Sequence, residues 1–279
     1  MSTTQTYLSI ENNLANYQKL TANEPAVKTA TAYYQANIGK VTSVDQFVSN
    51  YRLLSYALQA YGLGDQINNT ALIKKVLQEG TTSANALANT LPNINWKSFA
   101  NAFNFSAKGT SAPTSATAVK TTVADYTEQQ LESDQGQSDP GVQLALYFKR
   151  FAPTVTNGYS VLADSNLLQV VQTIFNLPAT ASAAQIDQEA VEIQKLAPTS
   201  DLQNPKKLEQ LTERFTAAYD ATGPSLTVQS GNTAVTTTAA SSVLDSVVSS
   251  NASILASYQP TNSFSASLLY QLQGLTFGG

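Results

Sequence analysis

Residues Gly141 to Pro178 read GVQLALYFKRFAPTVTNGYSVLADSNLLQVVQTIFNLP and form the densest apolar segment of the chain. An earlier stretch, Tyr33 to Gly64, reads YYQANIGKVTSVDQFVSNYRLLSYALQAYGLG and aligns with residues 147–178, without a gap, after a shift of 114 positions. The aligned pairs include Tyr33 with Tyr147, Tyr34 with Phe148, Val41 with Val155, Leu53 with Leu167, Leu54 with Leu168, and Leu63 with Leu177. This self-similarity predicts a diverged tandem duplication of one all-helical unit.

Each unit contains a long stretch with helical spacing of apolar residues. In the first unit, Ser43 with Gln46 forms a capping-box pattern, and the helix that follows is expected to continue to Tyr61. Its buried face is expected to carry Val44, Phe47, Val48, Tyr51, Leu54, Leu58 and Tyr61. The corresponding helix of the second unit is expected over residues 159–175.

The predicted fold is all-α, with two diverged tandem helical units packed together and a helix at each terminus. Each unit has too little apolar surface to form a core alone, so the units are expected to pack on one another or on the terminal helices. The expected segments are an N-terminal amphipathic helix at 1–24, a first helical unit at 25–107, a linker and helix at 108–138, a second helical unit at 139–222, and a Ser/Thr-rich segment with an apolar C-terminal helix at 223–279.

The charge composition narrows the range of partners. Only 12% of the residues are charged and the formal net charge is -4, whereas about 25% of the residues are charged in ordinary soluble proteins. Nucleic-acid binding needs clustered Lys and Arg that displace counterions, and anchoring to an anionic membrane needs a similar basic cluster. The sequence therefore predicts neither a nucleic-acid partner nor an electrostatic membrane anchor.

The chain has no Cys and no His. Their absence from the sequence removes thiol nucleophiles, Ser-His-Asp triads and most zinc sites. The sequence also has no Walker loop and no dinucleotide-binding glycine motif. We therefore expect no catalytic residue, no metal ligand and no cofactor.

Acidic side chains are the remaining candidates for chemistry. Glu128 and Glu132 share one predicted helix face at spacing i, i+4, and Asp187, Glu189 and Glu192 form a second group. A pair of carboxylates is the machinery of glycoside hydrolysis, but no aromatic sugar platform accompanies either group. Both groups are expected to be solvated helix faces, which makes a carbohydrate-active enzyme the least favoured of the functions considered.

Both ends of the chain carry apolar stripes. Residues 5–21 predict one amphipathic helix, and the last residues predict another. The stripes consist of Tyr7, Ile10, Leu14 and Tyr17 at the N-terminus and of Leu268, Leu269, Leu272 and Phe277 at the C-terminus. Each stripe has two interpretations, burial on the chain's own core or docking on a partner subunit. Under the second interpretation these eight residues are the candidate partner-binding surface.

The first residues, MSTTQTYLSIENNLANYQKL, lack a basic segment followed by an apolar core, so we expect no cleaved secretory signal. No window approaches the roughly 20 apolar residues of a membrane-spanning helix. The chain is therefore expected either in the cytoplasm or outside it, by a route that needs no cleaved signal.

Five motifs carry a resemblance to a known family. They are VTSVDQFVSNYRLLSYALQAYGL, FANAFNF at Phe99–Phe105, GVQLALYFKRFAP, LADSNLLQVVQTIFNLP and DLQNPKKLEQLTERFTAAYD. Together they resemble an uncharacterised bacterial domain of unknown function, found mainly in alphaproteobacteria, whose genes often lie beside those of the flagellar basal-body rod. The resemblance covers roughly residues 25–221.

The resemblance implies a non-enzymatic, flagellum-associated structural or accessory protein that acts through helix–helix interfaces. Its partners are expected to be other flagellar subunits or further copies of the chain, and it is expected in the flagellum or exported. The alternative is a cytoplasmic assembly factor or chaperone for flagellar parts.

Overall fold

The computed structural model describes residues 1–109, 114–178 and 185–222, and every regular element within these ranges is helical. The α-helices are α1 (Thr3–Asn12), α2 (Leu14–Asn23), α3 (Pro25–Ile38), α4 (Val44–Ser49), α5 (Tyr51–Ala60), α6 (Thr70–Glu79), α7 (Leu87–Thr90), α8 (Asn95–Ala102), α9 (Phe105–Lys108), α10 (Ala116–Gly136), α11 (Pro140–Phe151), α12 (Gly158–Leu162), α13 (Ser165–Phe175), α14 (Ile186–Leu196), α15 (Thr199–Leu202) and α16 (Pro205–Thr222). The all-α class is thereby confirmed for this part of the chain. The predicted C-terminal helix and its Ser/Thr-rich approach, at 223–279, lie outside the described residues.

The helix predicted over residues 5–21 is two helices, α1 and α2, that meet at Asn13. Asn13 adopts φ -134° and ψ 25°, and its N–H donates to the carbonyl of Ile10. Asparagine side chains compete with the helical backbone for hydrogen bonds, which makes the Asn12–Asn13 pair a favourable place for a break. The prediction of one continuous helix was therefore wrong.

The central helix predicted in each unit is likewise divided, and the two breaks lie 114 residues apart, at Asn50 and Asp164. Asn50 Oδ1 accepts the N–H of Leu53 at 3.2 Å, and Asp164 Oδ1 accepts the N–H of Leu167 at 3.1 Å. An Asn or Asp side chain at this position satisfies the free amide groups of a new helix start. The predictions of unbroken helices were wrong because these caps outweigh continuous helical spacing.

Other helix ends also coincide under the 114-residue shift. Ser43 caps α4 and Asn157 caps α12, each accepting the N–H three residues further on, at 3.1 and 3.0 Å. The left-handed backbone conformation occurs at Gly62, with φ 67°, and at Asn176, with φ 52°. Shared caps and ends are what a duplication leads one to expect, and the superposition of the two units stays a prediction.

The apolar side chains form two clusters. The first cluster draws on helices from α3 to α9, and the second on helices from α11 to α16 together with α1. The fully buried large side chains of both clusters include Tyr34, Phe47, Leu53, Leu54, Leu58, Phe99, Phe103, Phe148 and Phe215. Helix α10 contributes Tyr126 to the first cluster and Leu131 to the second. One long helix is thus shared by both cores.

A buried ion pair connects the two clusters. Arg150 on α11 contacts both carboxylate oxygens of Glu132 on α10, at 2.7 and 2.8 Å, and the two side chains are only 11% and 6% exposed. Arg150 Nη1 also donates to the carbonyl of Ala60 at the end of α5, at 2.9 Å. Fork-shaped Arg–carboxylate contacts fix relative orientation as well as distance. This single side chain therefore orients α5, α10 and α11.

Helices α12 and α14 approach each other closely at Gly158. A Cβ at Gly158 would lie 2.0 Å from the carbonyl oxygen of Ala190 on α14, a distance that no pair of non-bonded atoms tolerates. The absence of a side chain at Gly158 therefore permits this packing.

Candidate interaction surface

The structure places the predicted N-terminal stripe on the chain's own core. Tyr7 and Ile10 are fully buried in the second cluster, where α1 packs on α11 and α16. Leu14 and Tyr17 are partly buried against the same cluster. This corrects the expectation of a partner-binding role for Tyr7 and Ile10, which have no exposed surface to offer. Leu268, Leu269, Leu272 and Phe277 lie outside the described residues.

Polar contacts connect α1 to residues 138 and 202 positions away. The hydroxyl of Tyr7 donates to Glu209 Oε1 at 3.0 Å, and Lys149 pairs with Glu11 and, at 2.9 Å, with Glu209. Burial raises the pKa of Tyr7, and the two glutamates raise it further. The first helix is therefore an integral part of the second cluster.

The start of α1 receives a carboxylate from the last described helix. Asp220 on α16 accepts the N–H of Thr3 at 2.7 Å and the N–H of Thr4 at 3.0 Å. Burial alone raises the pKa of Asp220, but these donors outweigh it and hold that pKa at about 2. An anion at a helix N-terminus is favoured by the free amide groups and the helix dipole.

The carboxylate pair on α10 is engaged in structural contacts. Glu132 is buried against Arg150, and Glu128 Oε1 accepts the side-chain amide of Gln18 at 2.8 Å. Burial raises the pKa of Glu132, and the Arg150 guanidinium opposes that rise. The expectation of a solvated face was therefore wrong for Glu132, because a buried arginine on α11 requires an anion there.

The second acidic group lies on α14. Asp187 and Glu192 are exposed, and Asp187 Oδ1 accepts the hydroxyl of Tyr159 at 2.7 Å. Glu189 is less exposed, and burial, followed by the charge of Glu192, raises its pKa. Within residues 1–109, 114–178 and 185–222, no three Asp or Glu side chains gather in a way that holds a metal ion. None of the helices in these ranges combines the length and apolarity that crossing a bilayer requires.

Tyr51, in the first unit, is a large side chain that is 65% exposed to solvent. The sequence placed it on the buried face of one long helix, which was wrong. Because Asn50 starts a new helix, Tyr51 becomes the first residue of α5 and leaves the register of the apolar stripe. A signal was present in the sequence, since Asn directly before a run with helical apolar spacing is a helix-start pattern.

The neighbouring Arg52 lies against an aromatic ring. Its guanidinium carbon is 3.7 Å from the centre of the Tyr33 ring, and in the described ranges no carboxylate lies within ion-pair distance of it. A ring beneath a guanidinium stabilises the cation and leaves its edge donors free for a planar anion. Lys40, whose ammonium donates to Asn37 Oδ1 at 3.2 Å, also has no carboxylate partner in these ranges.

These residues line an open surface groove. The residues that line an open cavity of about 660 Å³ include Tyr33, Lys40, Asn50, Tyr51 and Arg52. We call the surface formed by these five residues the tyrosine groove. A smaller cavity of about 160 Å³ adjoins it and shares Tyr33, Tyr51 and Arg52. The described lining of both cavities contains no Asp or Glu, although the chain as a whole is acidic.

Stacked tyrosines lie beside the smaller cavity. Tyr34 lies on Tyr56 with ring centres 4.4 Å apart, and Tyr56 lies on Tyr126 with ring centres 3.8 Å apart. All three are buried. The stack joins α3, α5 and α10, and its members Tyr56 and Tyr126, which line the smaller cavity, belong to the first cluster.

The tyrosine groove is chemically suited to binding another polypeptide. Tyrosine and arginine are the residues that most often carry binding energy at protein interfaces, because they combine large area with polar ends. The unneutralised cations favour a partner with acidic side chains.

Comparison with known proteins yields one family and one solved structure. The family described as "Protein of unknown function (DUF1217)" matches residues 60–208. A crystal structure of a protein from the alphaproteobacterium Agrobacterium tumefaciens is 37% identical in sequence, with a TM-score of 0.72. The similarity covers 79% of this chain and 94% of that one. No curated protein matches the chain.

Proposed function

We propose that this chain, which belongs to the DUF1217 family because the family model matches more than half of its length, is a non-enzymatic structural or accessory protein of the bacterial flagellum. It acts by binding other protein subunits through helix–helix interfaces. The flagellar assignment rests on the sequence resemblance to a family encoded beside flagellar rod genes. A similar structure in an alphaproteobacterium agrees with the distribution of that family.

The tyrosine groove is the observation that carries the binding role. Tyr51 is 65% exposed, and Arg52 rests on Tyr33 without a carboxylate partner in the described part of the chain. An exposed aromatic side chain beside an unpaired guanidinium contributes little to the stability of a monomer. In an interface the same two side chains supply apolar area and charge-assisted hydrogen bonds.

The position of the acidic residues disfavours the carbohydrate-active alternative. Glu132 is committed to Arg150, and Glu128 accepts a hydrogen bond from Gln18. Glycoside hydrolysis needs two carboxyl groups that both face a bound sugar. The contacts of Glu128 and Glu132 instead support a role in joining α10 to α2 and α11.

The binding role is tested in the native bacterium with chromosomal variants. Tyr51→Ala combined with Arg52→Ala removes the central groove side chains, and we expect loss of swimming with a normal level of folded protein. The matched control is Lys19→Ala with Leu20→Ala, an exposed cation beside an apolar residue that is 60% exposed on α2. Full motility of the groove variant would contradict the proposal.

Cell fractionation separates the two flagellar roles. A structural part should be recovered with purified hook–basal bodies or in the exported fraction. Recovery from the cytosol alone would identify the chain as an assembly factor or chaperone.

A further inference from the structure

We propose that the tyrosine groove receives helix α14 of a second copy of this chain, so that copies join head to tail. This inference rests on the proposed binding function and names the partner of the same surface. It follows from the match between the groove and the outer face of α14 in charge and in exposed apolar area.

The outer face of α14, which we call the α14 surface, is formed by Asp187, Gln188, Val191 and Glu192. All four side chains are exposed, and Val191 is 53% exposed. Ile186, at the start of the helix, is 43% exposed. An amphipathic helix normally turns such apolar residues toward another element, so this face offers area for a contact.

The charges of the two surfaces are complementary and lack partners of opposite sign. Asp187 accepts from the neutral hydroxyl of Tyr159, and in the described ranges no cation lies within ion-pair distance of Glu192. In the groove, Arg52 and Lys40 likewise have no carboxylate within ion-pair distance in the described ranges. Lys195 lies one turn beyond Val191, and the acidic residues Asp187, Glu189 and Glu192 all precede it on α14. A contact between these surfaces places Arg52 and Lys40 beside Asp187 and Glu192.

The apolar parts match as well. Tyr51 stands exposed at the edge of an open groove of about 660 Å³, and Val191 lies between two acidic residues on a helix. In helix-in-groove recognition, apolar anchors enter the groove and charged neighbours contact its rim. Val191 against Tyr51, with Glu192 near Arg52, satisfies this pattern.

The groove and the α14 surface belong to different helices, so the contact is heterologous. Each copy retains one free groove or one free α14 surface after pairing, and growth continues beyond a dimer unless a ring closes. Chain growth of this kind suits a structural component.

The test is the oligomeric state of the purified full-length chain, measured by sedimentation velocity over a range of concentrations. We expect assemblies larger than a dimer that increase with concentration. Tyr51→Ala with Arg52→Ala, and separately Val191→Ala with Glu192→Ala, should each weaken association at least about tenfold. Lys19→Ala with Leu20→Ala should assemble as the wild type does, and circular dichroism verifies that every variant folds.

Mixing the two variants is the decisive experiment. The groove variant keeps an intact α14 surface, and the α14 variant keeps an intact groove. An equimolar mixture should form a one-to-one dimer and grow no further. A monomeric wild type, unchanged assembly of either variant, or a mixture that stays monomeric would overturn the proposal, and unchanged assembly would direct attention to residues 223–279.

The two proposals fail in different ways. A wild type that is monomeric in solution, together with a groove variant that cannot swim, removes the second copy as partner and leaves the binding function intact. A wild type that assembles through these surfaces, together with a groove variant that swims normally, establishes the contact and removes the flagellar role.

Discussion

The hydroxyl of Tyr147 donates a 2.6 Å hydrogen bond to Oδ2 of Asp164, the residue that caps α13. At the aligned positions, 114 residues earlier, the hydroxyl of Tyr33 donates to Oδ1 of Asn50, the cap of α5, at 3.4 Å. In both units, therefore, a tyrosine on an earlier helix, α3 or α11, is hydrogen-bonded to the side chain that caps α5 or α13.

Removing the Tyr147 hydroxyl should destabilise the second unit. Tyr147→Phe leaves the buried carboxyl of Asp164 with one donor fewer, at a cost of about 1–3 kcal/mol in the free energy of unfolding. Urea denaturation followed by circular dichroism measures this loss. Tyr159→Phe, which removes an exposed hydroxyl bonded to Asp187, is the control and should leave stability unchanged. Equal losses of stability in Tyr147→Phe and Tyr159→Phe would contradict a stabilising role of the Tyr147–Asp164 hydrogen bond.

The Arg150–Glu132 pair should behave as a buried ion pair. Arg150→Met leaves Glu132 uncompensated and should cost about 3–5 kcal/mol, whereas combining it with Glu132→Leu should cost less than the single change. The exposed pair between Lys74 and Asp45 provides the control, since Lys74→Met should cost at most about 1 kcal/mol. A double variant as unstable as the sum of its single changes would contradict the pairing.

Asp125 should make stability depend on pH. Burial raises its pKa from 3.8 to about 6, although Arg150 opposes the shift, and the charge of Glu128 adds to it. The folded chain thus holds this proton more tightly than the unfolded chain, and the resulting stabilisation is full below about pH 4 and lost as the pH rises through 6. Asp125→Asn should therefore be more stable than the wild type at pH 7, by on the order of 1–3 kcal/mol, and equally stable near pH 4. Parallel stability curves for the two proteins would disprove this assignment.

Adding one methyl group at Gly158 should disturb the contact between α12 and α14. Gly158→Ala places a Cβ against the Ala190 carbonyl, and overpacking of this kind costs about 1–3 kcal/mol or more. Gly39→Ala is the matched control, because no atom lies within 4 Å of a Cβ there. Thermal unfolding should show a lower midpoint for Gly158→Ala and no loss for Gly39→Ala.

Deleting residues 262–279 tests the prediction that the C-terminal apolar stripe contacts a partner. We expect residues 25–221 to stay folded while motility is lost, because Leu268, Leu269, Leu272 and Phe277 are candidate partner contacts. Circular dichroism and swimming assays provide the two measurements. A truncated chain that swims normally would exclude the partner role, and one that unfolds would assign these residues to the chain's own core.

Helical content and the apolar faces were predictable because spacing along a helix is a local property. Leu53 and Leu167 occupy aligned positions and are both about 1% exposed. The next aligned pair differs, since Leu54 is buried whereas Leu168 is only partly buried against the second cluster. Sequence spacing identifies the stripe on a helix, but the neighbours that cover its edge come from elsewhere in the chain.

The helix breaks and the groove were harder to predict. Asn50 and Asp164 interrupt otherwise continuous apolar spacing because each side chain accepts a hydrogen bond from an N–H at the start of a new helix. Whether such a cap divides a helix depends on the packing of both flanking helices. Tyr51 became exposed as a consequence of the first break. The burial of Tyr7 was undecidable for a different reason, because an amphipathic stripe fits a partner and the chain's own α11 and α16 equally well.

The packing of α1 into the second cluster has a consequence for folding during synthesis on the ribosome. Tyr7 is synthesised 202 residues before its partner Glu209. At about 5–20 residues per second, the first helix waits on the order of 10–40 s before its binding surface exists. The first core, built from α3 to α10, can assemble in that interval. Translation therefore favours a sequential route, in which α1 is the last described helix to pack and is open to chaperones or proteases until then.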